Sequence, residues 1–224
     1  MDFAQFKKEF EIFMKIDSAE KLAICEKEYQ RHLLKIEDEK YFEPPQKHEG
    51  ASILAKYDRG LSEIVGLDRI KENEFYILIQ PSFKPENLLI VSYESEHLIL
   101  KHIELSGGHE EKVYLNSTKQ IDQTIKNATL DAKTGISLID LLRKTIDSAK
   151  TPKSPFMVLD GVKHFIIGNF GGEIKIVVKH SPNENSYSGR IVFLLDLLVE
   201  YTGKQDKELG EKISSLTGEL LKST

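Results

Sequence analysis

Residues 155–201 constrain the fold more than any other stretch, because turn-forming residues cut them into three short apolar runs and one helical run. Phe156, Met157, Val158 and Leu159 lead into Asp160-Gly161, a pair suited to a two-residue hairpin turn. A second apolar run covers 162–167 and is broken by Gly168-Asn169-Phe170-Gly171-Gly172. Residues 173–180 alternate polar and branched side chains, Ser181-Pro182 stops them, and 190–201 takes up helical periodicity. The order is strand, turn, strand, turn, strand, helix. Links this short between strands suit antiparallel pairing, since a parallel pair needs a long crossover.

The first forty residues read differently. Phe3, Phe6, Phe10, Phe13 and Met14 recur at helical spacing and predict a helix over 2–15. Asp17 or Ser18 can cap a second helix, running to about Asp38 with Leu22, Cys25, Tyr29, Leu33 and Ile36 on its apolar side. Residues 41–50 hold Pro44-Pro45 and Gly50 and read as a linker. One or two short helical turns are expected within 52–67, punctuated by Gly60 and Gly66.

From Glu74 the period shortens. Residues 75–79, 88–93 and 97–104 predict three strands, with Ser95-Glu96 as a tight turn and 112–115 as a fourth strand after Gly107-Gly108. Ile136, Leu138, Ile139, Leu141, Leu142 and Ile146 make the strongest helix of the middle region, ended by Thr151-Pro152. After the break at Gly203, Leu209, Ile213, Leu216, Leu220 and Leu221 share one face of a last helix. Blocks of strands followed by helices imply an α+β protein with a mostly antiparallel sheet, helices packed on it, and helical segments at both termini. The chain is expected to form one domain over 1–224, its first forty residues a helical pair that is semi-independent.

Composition narrows the function classes. The chain has 224 residues and a net charge of −5, which argues against general binding to a nucleic-acid backbone. Its single cysteine, Cys25, rules out an intrachain disulfide and reads as a structural thiol in a helix. The first residues lack the basic start and apolar run of a signal peptide. No apolar segment approaches the ~20 residues of a membrane span, so a cytoplasmic location and no membrane partner are expected. There the glycosylation sequons at Asn116 and Asn127 are chance matches.

Seven histidines invite a metal search. His97 and His102 fall in one strand and face opposite sides, and His109-Glu110-Glu111 lacks a second histidine at helical spacing, so no metal and no cofactor are expected. The glycines at 168–172 lead into a strand rather than a helix and lack the lysine of a phosphate loop. Ser188 can cap the helix that follows it, with Arg190 at the helix start serving an ion pair or an anionic group. Residues 80–86 form a proline-braced turn. None of these stretches assembles a catalytic set.

Leu159-Asp160-Gly161, His180-Ser181-Pro182 and the helix over 190–201, together with Gln80-Pro81-Ser82-Phe83, give an order that resembles small cytosolic proteins encoded beside bacterial polymorphic toxins. These features cover under half of the chain. The resemblance implies an immunity-type protein that neutralises a toxin by binding it, and it carries over no binding residue. The leading expectation is a non-enzymatic protein-binding module. Glu94, Glu96, Glu110 and Glu111 would steer a basic partner, and Arg190 would contribute at the same interface. Two alternatives stay open. One is a hydrolase whose His109, Glu111 or His164 converge from separate strands; the other is an oligomerising module that uses the first or last helix.

Overall fold

Strand β1 (Glu74–Pro81) carries five consecutive apolar residues, Phe75 to Ile79, and all five are buried. Successive strand residues point to opposite faces, so a run like this demands cover on both sides and a central place in a sheet. That is where β1 lies. A computed structural model describes residues 1–45, 70–82, 84, 86–94, 96–105, 123–153 and 161–223. Within them, β2 (Asn87–Glu94), β3 (His97–Leu105), β4 (Gln123–Leu130), β5 (Val162–Phe170) and β6 (Glu173–His180) join β1 in one six-stranded sheet of order β4-β3-β2-β1-β5-β6. Every pairing is antiparallel. The two strand blocks read in the sequence therefore form one sheet, joined where Ile77 faces Leu89 on one side and Ile166 on the other.

Five helices lie among the described residues: α1 (Phe3–Phe13), α2 (Ala19–Asp38), α3 (Ala132–Asp147), α4 (Tyr187–Lys204) and α5 (Lys207–Lys222). Helix α3 leaves the β4 edge, crosses one sheet face and delivers the chain to β5 beside β1. It lies close to the sheet because Gly135 has no side chain: a Cβ there would sit 2.9 Å from Leu98 Cβ. Helix α4 crosses the same face and ends on β3 and β4, and α5 packs against both α3 and α4. Phe75, Ile77, Leu89, Val91, Leu98, Leu100 and Ile166 meet the inner residues of these helices in the larger core. Tyr76, Leu78, Leu88, Ile90, Phe165 and Ile167 form a second cluster on the opposite face.

Local signals explain the element limits. Asp2, Ser18, Asp131, Ser186 and Asp206 cap the five helices, each accepting a backbone N–H of the first turn. Ser186 replaces the expected Ser188 as the cap of α4, which starts at Tyr187. Ser188 faces inward instead and donates to Glu39 O at 2.6 Å. The β5–β6 turn puts Gly171 and Gly172 at φ +61° and +91°, the left-handed backbone expected of a hairpin loop. Strand β4 has no counterpart among the expected strands. The strands anticipated at 112–115 and 156–159 and the helical turns at 52–67 lie outside the described residues.

Candidate functional site

Among the described helices, the hairpin of α1 and α2 is the least absorbed into the core. Phe3 and Phe6 pack their rings on Tyr29 at 5.1 and 5.4 Å between centroids, and Phe6 also meets His32 at 5.4 Å. Cys25 is buried at this seam, where desolvation pushes its thiol up from the ordinary value, with Lys7 opposing. It is a structural thiol, as its helical setting suggests. Beyond the seam the apolar stripe goes on into water. Phe13 is 89% exposed and Ile12 77%, with Met14, Ile24, Leu33 and Ile36 also exposed. Helix α1 buries no residue fully, and α2 buries only Cys25.

A polar knot holds the end of α2 to the sheet. Lys179, 4% exposed on β6, donates to Glu43 Oε1 at 2.9 Å and to Asp38 O at 2.8 Å. Glu39 accepts the Asn183 N–H through its carboxylate at 2.8 Å and the Ser188 hydroxyl through its carbonyl. Phe42 is buried, and Glu43 exchanges backbone hydrogen bonds with Val178 at the β6 edge. Nothing in the spacing of Asp38, Glu43 and Lys179 along the chain foretells this arrangement. Only the fold brings together residues 136 and 141 positions apart.

Of the residues singled out in the sequence, Glu94 and Glu96 lie apart from Arg190. Glu94 and Glu96 are exposed at the β2–β3 turn, where Glu96 takes the left-handed φ of 67°. Arg190 sits in the first turns of α4 and donates to Glu219 Oε2 of α5 at 2.6 Å. The α4 start lies by the end of β6, near the opposite end of the strands from Glu94, roughly 25 Å away at ~3.3 Å per residue. Glu110, Glu111 and His109 lie outside the described residues.

His164 is buried on the helix-covered face, with Nε2 3.6 Å from Asp196 Oδ1 of α4. His102 is buried on the same face, opposite Leu89 and Lys126 in the register, and neither of its ring nitrogens has a hydrogen-bond partner. Its pKa is held below the ordinary histidine value, first by burial and then by Lys126, with Glu104 opposing. Among the described residues, no three His, Cys, Asp or Glu side chains could hold a metal ion together. No helix among them is long and apolar enough to cross a membrane.

Compared with protein-family models, curated proteins and solved structures, the chain matches none.

Proposed function

We propose that this chain is a non-enzymatic protein-binding module of the cytoplasm, of the immunity type, which neutralises a cognate toxin by covering part of it. The exposed apolar row of the α1–α2 hairpin carries this reading. Phe13 and Ile12 stand in water at the tip of a helix that has no fully buried residue. Covering each such side chain is worth roughly 1.5–3 kcal/mol, and aromatic anchors of this kind dominate protein interfaces. The knot at Asp38, Glu39 and Glu43 fixes the hairpin's C-terminal end to the sheet, so a partner would meet a positioned surface. Glu94 and Glu96, away from the hairpin, would act on a basic partner through encounter rate more than through contact.

The test is co-expression with the product of the neighbouring gene. A one-to-one complex by light scattering is expected, with affinity falling at least about tenfold in the Ile12→Asp/Phe13→Asp variant while its circular dichroism is unchanged. Glu94→Lys/Glu96→Lys should slow association and flatten its salt dependence without a comparable change in dissociation. Absence of a complex at micromolar concentrations overturns the reading. A self-associated chain that the hairpin variant returns to monomer would replace it with the oligomerising module.

A further inference from the structure

The last turn of α4 sits on an edge that a sheet ordinarily has to protect. Among the described strands, β4 has only β3 as a neighbour, and an edge of that kind can pair with another strand unless something blocks it. Tyr201 Oη donates to Thr129 O at 3.3 Å, and the Gln205 side-chain amide donates to Asn127 O at 3.1 Å. These two carbonyls are alternate residues of β4. Gln205 closes the helix in the left-handed conformation at φ 48°, its own N–H returning to Tyr201 O. The end of α4 thus acts as a clasp over the edge.

His102 lies on the face this clasp covers. It is 4% exposed and both its nitrogens lack partners. Lys126 stands opposite it on β4, its stem running beneath α4 so that a Cβ on Gly203 would meet Lys126 Cδ at 4.0 Å. The charged groups around the ring are few. Lys126 comes from β4, and Glu104 from β3 itself, with 3.4 Å between their ammonium and carboxylate. Across the β2 register stand the uncharged Leu89 and Asn87. On α4, Glu200 and Lys204 pair with each other at 2.5 Å and Asp196 lies 3.6 Å from His164; beyond it, Asp206 caps α5.

We propose that His102 is an acid-sensitive latch whose protonation frees the C-terminal end of α4 from β3 and β4 and bares the β4 edge. A charged imidazole here is desolvated, has no acceptor and sits beside a lysine, so the closed clasp opposes the proton and the open one accepts it. The sign follows from linkage. The closed arrangement keeps its full stability above the ordinary histidine value of about 6.5 and loses it as pH falls below that toward the lowered value. The release is placed at the end of α4 that carries Tyr201 and Gln205, the residues that hold β4.

Hydrogen exchange on the full chain at pH 7.5 and pH 5.0, expressed as protection factors, tests the latch. Protection of the β4 amides and of the α4 terminus should fall at least about tenfold at the lower pH while that of β1 and α3 holds. His102→Leu should abolish the loss, Lys126→Met should reduce it, and His164→Leu should leave it in place. Level protection of β4 and β1 down to pH 5 overturns the proposal, as does an equal loss in His102→Leu. Should that variant not fold, the ring signals of His102 in the unaltered chain decide. Titration in step with the β4 amides supports the latch, and titration with β4 still protected overturns it.

Discussion

A single buried lysine shows how residue identity is set by its surroundings. Lys179 reaches Glu43 and the Asp38 carbonyl from a position almost sealed from water, whereas the Glu43 side chain keeps 29% of its surface. Removing one member of a buried pair strands the other, and the cost falls on the one that cannot rehydrate. Glu43→Ala is therefore expected to cost about 2 kcal/mol in urea unfolding, below the ~3–5 kcal/mol of a fully buried pair because Glu43 is partly solvated. Lys179→Met, which leaves the hydrated partner alone, should cost less than half as much. The reverse order would show that the Asp38 carbonyl, not the carboxylate, satisfies the lysine. None of this was legible in the sequence. The alternation in Glu173–His180 places Lys179 on one face of a strand, but whether that face is wet depends on the chain reaching it from α2.

Two glycines in helices make opposite predictions at the scale of the element. Gly189 lies in the first turn of α4, where an added Cβ would stand 1.9 Å from the Asn183 carbonyl oxygen. Gly218 lies inside α5 with nothing within 4 Å. Alanine favours a helix over glycine by about 1 kcal/mol, so Gly218→Ala should stabilise by up to ~1 kcal/mol. In Gly189→Ala the same gain is overtaken by the clash with backbone, and a net loss of about 1–3 kcal/mol is expected. Thermal melts of the two variants separate the effects. Helices α3 and α5 were readable from their apolar spacing, although Ile136, counted among the apolar positions of α3, is 52% exposed. Strand β4 was not readable. Its residues, Gln123 to Leu130, are mostly polar because an edge strand buries little; only Ala128 and Leu130 are buried, too few to make a pattern. The core strands declared themselves through apolar runs and the β6 edge through its alternation, while the β4 edge stayed silent because it buries so little.

For the whole molecule, stability should be graded from the sheet outward. Helix α1 is an eleven-residue helix that packs chiefly on α2, and a helix of that length is marginal in water. Its amides are expected to exchange by local opening, at least about a hundredfold faster than those of β1, without change in the cooperative unfolding of the sheet. Deleting residues 1–16 should accordingly shift Tm by only a few degrees. Loss of cooperative unfolding in that variant would show that the hairpin belongs to the folding unit. The fold class was legible because apolar periodicity reports burial. The surface that a partner would recognise was legible only as a row of phenylalanines, because the sequence does not state where α1 ends against α2 and leaves Phe13 uncovered. The position of β1 has a consequence for synthesis. Its inner edge faces β2, made directly after it, but its other edge waits for β5, roughly ninety residues later. At ~5–20 residues per second, synthesis leaves this edge of the largely apolar β1 unpaired for roughly five to twenty seconds. The unpaired edge of β1 thus belongs to the nascent chain and not to the finished sheet.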